Sequence, residues 1–369
     1  IFDGKYPGCG AASKRVSNYL KALSMAENKV EVVPVFLNTK SVFLDMIFTF
    51  LKPLSTALKV LSKCSDSDII LIYGFGCFTK LSIITASKIV KSEIVIEINE
   101  LPYSIVGSRR DRILKYFHPL FHFVLKYSVY RLANGFIVIS EPLKEYITKY
   151  KAKDAIVIKI PILVDYDYYQ SETIKPDCRV PFILHTAGVN DFKDGMMNVF
   201  KALMKLIKSG CEIHLYITSK LMLPDIKKEL DMLLTDEVFY NHVHFLGNLD
   251  EDTLLRFQKE CSLVIINKVR SLQNKFNFST KIGEYLALGK PVITSEYGEV
   301  TRYLKHNSSC LYVNPDDIDM ISDYIRTILA DKNLREKLSA EGKRIAHDLF
   351  DYKIYNEHLD TFFNHVLYQ

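Results

Sequence analysis

The chain has no uninterrupted apolar run long enough to cross a bilayer, since a spanning helix needs about 20 such residues. Its nearest candidates, Ser41–Leu51 and His118–Val129, are short and broken by charge or histidine. The seven cysteines are scattered, without a CxxC pair or a histidine partner at ligand spacing. That usage argues against structural zinc or a disulfide frame, and for a reducing, cytoplasmic compartment. No internal repeat occurs at solenoid spacing, and no segment is of low complexity. A full dinucleotide fingerprint and a P-loop are both missing. No motif of RNA or DNA recognition is present, so nucleic acid is not an expected partner. The chain opens at Ile1-Phe2-Asp3 with neither Met nor a signal peptide. It is expected to begin inside a first strand, with a few residues preceding Ile1.

What is present is a globular composition. Of 369 residues, 48% are apolar and 25% charged, which is too long for one ordinary core and points to two domains. The formal net charge of +5 is mild but unevenly spread. Within 109–131, Arg109, Arg110, Arg112, Lys115, Lys126 and Arg131 are opposed only by Asp111, and Tyr116, Phe117, Leu120, Phe121, Phe123, Leu125 and Tyr127 lie among them. Basic residues interleaved with aromatics suit an anionic membrane surface. The plainer alternative is an amphipathic helix with a solvated basic face.

Strand-like runs alternate with helical patterns almost from end to end. Val30–Phe36, Ile69–Tyr73, Glu93–Ile98, Gly135–Ile139 and Ala155–Ile160 read as strands, separated by helical stretches such as Ala12–Ala26 and Phe78–Val90. After Pro161 the rhythm restarts, with strands at Phe182–Thr186, Glu212–Thr218, Val243–Leu246, Leu263–Asn267, Pro291–Thr294 and Cys310–Val313. Such alternation predicts parallel sheets with helices on both faces, and two successive sets predict two doubly wound α/β domains. The boundary is expected near Leu163–Pro176, where Asp165-Tyr-Asp-Tyr-Tyr-Gln-Ser breaks the apolar pattern.

Three segments carry candidate chemistry. The first is Gly8-Cys-Gly-Ala-Ala-Ser-Lys-Arg15, a glycine-bearing turn before a helix, where backbone can approach a phosphate or sugar. Any tight βα turn also favours glycine. The second is Ala187-Gly-Val-Asn-Asp-Phe-Lys-Asp-Gly195, in which Lys193 either projects to a diphosphate or stands as a solvated loop lysine. The third is Phe278-Ser-Thr-Lys-Ile-Gly-Glu-Tyr-Leu-Ala-Leu-Gly-Lys-Pro-Val-Ile-Thr-Ser295, preceded by Asn274, Lys275 and Asn277. It predicts a polar loop, a short helix with Lys281 and Glu284 in its early turns, a Gly289 stop and a buried strand. A helix start favours anions by ~0.3–1 kcal/mol, and a carboxylate can accept sugar hydroxyls in bonds of roughly 1.5–3 kcal/mol. Alternatively, Glu284 is solvated and the helix merely feeds a core strand.

Taken together and in this order, these segments resemble the retaining glycosyltransferases of family 4, of bacterial surface-polysaccharide type, with the GT-B fold. The resemblance covers nearly the whole chain. It rests on Gly8–Ala12, Ile137-Val-Ile-Ser140 with Leu143, Ile160-Pro-Ile-Leu-Val-Asp165, Gly188, Lys193, Gly195, and above all Lys281 with Glu284-Tyr-Leu-Ala-Leu-Gly-Lys-Pro-Val-Ile293. Glu97-Ile-Asn-Glu-Leu-Pro-Tyr-Ser104 is similar to a variant in the surface-polysaccharide members. The resemblance implies an acceptor-binding domain at 1–165, a nucleotide-sugar-binding domain at 166–348, and a helix at 349–369 returning to the first domain, the two domains facing across a cleft. It implies that Lys193 and Lys281 neutralise the donor diphosphate and that Glu284 grips the ribose hydroxyls. Gly10, Ala11, Gly188, Asn277, Phe278, Ser279 and Thr280 would complete the donor site, with Asn99 and Glu100 placing the acceptor. No metal or other cofactor is implied, because basic side chains and helix dipoles take the cation's place. The implied partners are a nucleotide-sugar donor and a glycan or lipid-linked acceptor.

The chain also departs from the family. Where members often carry two glutamates seven residues apart, the first position is Phe276. An arginine common before the phosphate lysine is absent, with Gly188 or Val189 in its place. The cleft histidine is replaced by the Glu97–Glu100 segment. Two alternatives follow: a nucleotide-sugar epimerase of the same fold, and a non-catalytic partner subunit.

Overall fold

The computed structural model describes residues 1–3, 6–8, 10–26, 28–35, 42–66, 68–101, 115–171, 180–218 and 224–368. Two compact units result. The first comprises Ile1–Leu163, Phe276–Phe278 and Tyr352–Gln369, and the second Val164–Lys275 and Ser279–Asp351.

In the first unit, strands β1 (Ile69–Tyr73), β2 (Glu93–Ile98), β3 (Gly135–Val138) and β4 (Ile156–Lys159) form a parallel sheet in chain order. Phe2 extends it with parallel bridges to both Tyr73 and Pro34, so the opening residues lie between β1 and the Pro34 segment. The run expected as a strand at Val30–Phe36 contributes only that bridge. Proline has no N–H to offer a ladder, which confines it to edges, and Phe36 lies outside the described residues. β2 is nearly continuous in Ile and Val, with residues 94–98 all buried, as a parallel strand covered on both faces should be.

The helix Ala11–Met25 covers one face through Tyr19, Ala22 and Leu23. Beside it lies the helix Asn356–Leu367, whose Leu359, Phe362 and Val366 enter the same core with Val95 and Ile137. Gly135 makes this approach possible, because a Cβ there would stand 2.9 Å from Phe362 Cζ and 3.0 Å from Val366 Cγ2.

In the second unit, β5 (Phe182–His185), β6 (His214–Ile217) and β7 (Val243–Phe245) form one parallel ladder, and β8 (Val264–Ile266), β9 (Val292–Ser295) and β10 (Leu311–Val313) another. An Ile183–Leu263 bridge joins them, giving the order β7-β6-β5-β8-β9-β10. That is the doubly wound arrangement, in which strand order reverses between β5 and β8 and ligands meet the carboxyl ends of the strands. The helix Met196–Lys208 buries Val199, Phe200, Leu203 and Leu206 against this sheet.

The helix Thr280–Ala287 precedes β9 and ends as its sequence requires. Gly289 adopts φ +67°, its N–H donates to the Leu286 carbonyl at 2.9 Å, and the Lys290 N–H donates to Tyr285 at 2.8 Å. This is the paired-bond stop that a left-handed glycine permits. From the other side Gly342 packs on Leu286, with room for no side chain, since a Cβ would lie 2.9 Å from Leu286 Cδ2. The helix carrying Lys281 and Glu284 is therefore held at its C-terminus and along its buried face.

Candidate active site

The polar site of the second unit is built at the strand-order reversal. β5 ends at His185, and Thr186-Ala187-Gly188 leads to a single helical turn, Asp191–Asp194. Asn190 caps that turn, its side-chain oxygen accepting from the Lys193 N–H at 3.0 Å. Gly195 ends the turn at φ +50°, where a Cβ would meet Asn267 Nδ2 at 2.7 Å. Asn274 secures the same point, its Nδ2 donating to the carbonyls of Lys193 at 2.8 Å and Val269 at 2.9 Å. These bonds fix where the Lys193 side chain leaves the backbone.

Lys281 stands in the first turn of the Thr280–Ala287 helix, whose N-cap Ser279 makes no side-chain capping bond. Among the described residues its ammonium makes no hydrogen bond or ion pair. Burial lowers its pKa, Asp194 and Glu284 oppose that shift, and the neighbouring Lys193 charge adds to it. A desolvated cation beside a second cation, at a helix start, is an arrangement that a bound anion would relieve.

Glu284 sits one turn further along. Its Oε2 accepts from Gln258 Nε2 at 3.1 Å, and Tyr169 bonds to the same carboxylate. Gln258 is buried, on the helix Glu251–Glu260. Tyr285, next in sequence, is buried with its hydroxyl donating to Thr186 Oγ1 at 3.3 Å. Behind these residues lies a cavity of about 20 Å³, lined by His185, Thr186, Asp194, Lys268, Lys281 and Tyr285 among others. It has room for little more than one water, so any larger ligand must lie at its mouth.

Asp194, which is buried, and Lys268, which is half-buried, form an ion pair at the wall of this cavity. Burial alone would raise the Asp194 pKa, but the Lys268 charge and its hydrogen bond hold it below the usual carboxylate range. Burial brings Lys268 down to about 8 against the pull of Asp194. His185 is pushed down to about 4 by burial and by the Lys281 and Lys268 charges, only partly offset by Asp194. It is neutral near pH 7.

The structure thus brings Gly188, Lys193, Ser279, Thr280, Lys281 and Glu284 into one unit, around one sheet end. Gly10, Ala11, Asn99 and Glu100 lie in the other unit, and Phe276–Phe278 also group there. The Phe276 carbonyl accepts from Ser140 Oγ at 2.6 Å, and its ring stands edge-on to Tyr146 at 6.0 Å. Phe278 is buried. Gly10 is the N-cap of the Ala11–Met25 helix, with no capping side chain. A Cβ on Gly10 would meet nothing within 4 Å among the described residues. Cys9, Gly4 and Lys5 lie outside the described residues.

In the Glu97–Glu100 segment, Glu97 is an interior group rather than an open carboxylate. It ion-pairs with the buried Arg15 and accepts from Tyr19 Oη at 2.9 Å. Arg15 also donates to the carbonyls of Pro161 at 2.6 Å and Ile160 at 2.9 Å. Asn99 Nδ2 donates to Tyr73 Oη at 2.6 Å, while Asn99 Oδ1 and Glu97 Oε2 are buried with no hydrogen-bond partner among the described residues.

Sequence reasoning missed Asp194, Lys268, Gln258 and Tyr169. The Asp194–Lys268 pair spans two βα loops far apart in the chain, and no spacing signals it. Gln258 lies on the helix Glu251–Glu260, and no motif in the sequence marks it.

The class this fold defines is the α/β GT-B fold of glycosyltransferases, with parallel doubly wound sheets. Residues 188–345 match the family model "Glycosyl transferases group 1". An uncharacterized glycosyltransferase of Methanocaldococcus jannaschii is 25% identical over 161 residues, which is 43% of this chain and 40% of that protein. Among solved structures, Anabaena HepE in complex with UDP aligns with a TM-score of 0.70 at 16% identity, covering 98% of each chain. A Rickettsia africae glycosyltransferase aligns at 0.68 and 16% identity, covering 99% of this chain and 97% of that one. Thermosynechococcus elongatus sucrose-phosphate synthase aligns at 0.67 and 16% identity, covering 92% and 83%.

Proposed function

We propose that this chain is a retaining glycosyltransferase that moves a sugar from a nucleotide-sugar donor to a glycan or lipid-linked acceptor in surface-polysaccharide synthesis. The observation that carries the reading is Lys281, a desolvated cation without an ion-pair partner among the described residues, set at a helix start beside Lys193 and one turn before Glu284. The hard step is departure of the nucleoside diphosphate from the anomeric carbon. Lys193, Lys281 and the Thr280–Ala287 helix start face the charge that grows on the leaving phosphate, and such fixed groups need no reorganisation as it develops. They take the part that a divalent cation plays in other phosphate sites. Glu284, oriented by Gln258 and Tyr169, accepts from the ribose hydroxyls. Gly188 lets the backbone approach the diphosphate, and the amides of Asn277, Phe278, Ser279 and Thr280 face the transferred sugar.

Gly10 and Ala11, at a helix start of the first unit, are assigned to the donor. Asn99 and Glu100 position the acceptor. Retention, with no nucleophile assigned among the described residues, is compatible with front-side attack, in which the leaving phosphate takes the acceptor proton.

The protein works at the inner face of a membrane, and no helix among the described residues is long and apolar enough to cross one. Contact is made through 109–131, of which 109–114 lie outside the described residues. In the rest, Tyr116, Phe117, Phe123 and Tyr127 are each more than half exposed.

The test is a thermal-shift screen against UDP-, GDP-, ADP- and CMP-sugars, followed by mass spectrometry of candidate acceptors with the donor that binds. A ligand that binds only the native state raises its apparent stability. HepE has been captured with UDP and UDP-glucose, so uridine donors come first. A donor that binds and is converted without acceptor would favour an epimerase. A chain that no nucleotide sugar stabilises would contradict the proposal.

A further inference from the structure

A second cluster of chemistry-bearing side chains lies at the opposite end of the strands from Lys193 and Lys281. His214 opens β6, Glu212 precedes it by two residues, and His242 immediately precedes β7. Each of these three offers a ligating atom, and those atoms all lie within 4.8 Å of one another. His214 Nε2 is 3.6 Å from Glu212 Oε1, and the His214 and His242 rings are 4.9 Å apart.

The hydrogen bonds around the cluster select the nitrogen that each histidine presents. His242 Nδ1 lies 2.6 Å from the Val238 carbonyl. A carbonyl only accepts, so Nδ1 carries the proton and Nε2 keeps its lone pair. His214 Nδ1 lies 2.7 Å from His244 Nε2, leaving His214 Nε2 turned to Glu212. His244 is itself held by stacking on Tyr216 at 4.6 Å, and Phe257 packs on Tyr216 in turn. Metal-binding histidines are characteristically oriented by such a bond at their other ring nitrogen.

We propose that Glu212, His214 and His242 bind a divalent transition-metal ion of the Zn²⁺ type, with His244 orienting His214. Two neutral imidazoles and one carboxylate suit zinc, leaving a fourth position for water. Tetrahedral ligands at zinc bond lengths lie roughly 3.3 Å apart, so the three groups close on the ion by side-chain rotation. The absence of cysteine pairs, which had spoken against structural zinc, does not bear on a set made of histidine and glutamate. The ion would link β6 to β7, the three-residue edge strand of the sheet. Short edge strands are weakly held, so its effect is on stability, away from the donor site.

Tag-free protein stripped with chelator is titrated with Zn²⁺ alone, and separately with Co²⁺ to read coordination from its visible spectrum. Expected are one-to-one binding, a tetrahedral Co²⁺ spectrum and a raised thermal midpoint. His242→Gln and Glu212→Gln should each weaken Zn²⁺ binding by at least about tenfold, and His244→Gln by about tenfold through lost orientation. His347→Gln, an exposed histidine elsewhere, should leave binding unchanged. Melting in metal-free buffer shows whether each variant folds, and the exposed Glu212 provides a test should His242→Gln fail. Equal Zn²⁺ affinity in wild type and the Glu212 or His242 variants, or no binding by wild type, would overturn the proposal.

Discussion

Replacing Glu284 with glutamine separates its part in donor binding from its part in the fold. Alanine would strand Gln258, a buried residue whose Nε2 donates to Glu284 Oε2 at 3.1 Å, and an unmet buried donor costs about 1–3 kcal/mol. Glutamine keeps an acceptor oxygen for Gln258 and for Tyr169, so Glu284→Gln should melt within about 1 kcal/mol of wild type. What it loses is charge. Hydrogen bonds to a charged group contribute roughly 1.5–3 kcal/mol and neutral ones about 0.5–1.5. For two ribose hydroxyls the exchange removes about 2 kcal/mol, or about thirtyfold in affinity. Calorimetric titration with UDP, 2′-deoxy-UDP and 3′-deoxy-UDP reads this directly. Wild type should lose affinity with each deoxy ligand, and Glu284→Gln should lose much less, because the missing partner has already been weakened. If both proteins discriminate against the deoxy ligands by the same factor, Glu284 does not hold the ribose.

Other outcomes follow from the same geometry. Lys281→Ala should lower donor turnover at least about tenfold, a loss of roughly 1.4 kcal/mol of transition-state binding, with a wild-type rate contradicting the diphosphate assignment. Asp194→Ala should cost about 1–3 kcal/mol of stability by leaving the half-buried Lys268 without its partner, and adding Lys268→Met should recover much of it in chemical denaturation. His185, held at about 4 when folded and near 6.5 when unfolded, stays neutral in the native state while the unfolded chain takes up a proton. Stability should therefore fall as pH drops from about 6.5 to 4, by up to roughly 3 kcal/mol, and denaturation of His185→Gln should show a flatter profile. Pelleting with anionic liposomes should be strong at low salt and lost at high salt, and Phe123→Ser with Tyr127→Ser should weaken it. Failure to pellet at low salt would leave 115–131 as a surface helix.

Much of this fold is written in local pattern. The six strands of the second unit, and the helix with Lys281 and Glu284 three residues apart, follow from apolar runs, period and the Gly289 stop, all set within a few residues. Pro34 shows where local pattern misleads. Its surroundings are β-rich, yet the residue cannot donate to a ladder, and only a single bridge forms. Side-chain pairing was less legible. In sequence the Glu97–Glu100 segment stands only in place of a cleft histidine, and the partner of Glu97, Arg15, lies on a helix that packs over the sheet. Asp194 and Lys268 meet because β5 and β8 are neighbours at the reversal of strand order, while Gln258 and Glu284 meet because their helices flank β8 in the chain, one before it and one after. Phe276 was legible as a departure, and the structure accounts for it locally through Ser140 and Tyr146 in the first unit.

The claim on which the rest depends is that the Lys193 loop and the Lys281–Glu284 helix form one clamp for a nucleoside diphosphate. Calorimetric titration of UDP into wild type and into Lys193→Ala/Lys281→Ala, at matched ionic strength, tests it most directly. Wild type should bind at one site, and the double variant, still folded, should bind about a hundredfold more weakly, from roughly 1.4 kcal/mol lost at each lysine. Equal binding by the two proteins would contradict the clamp.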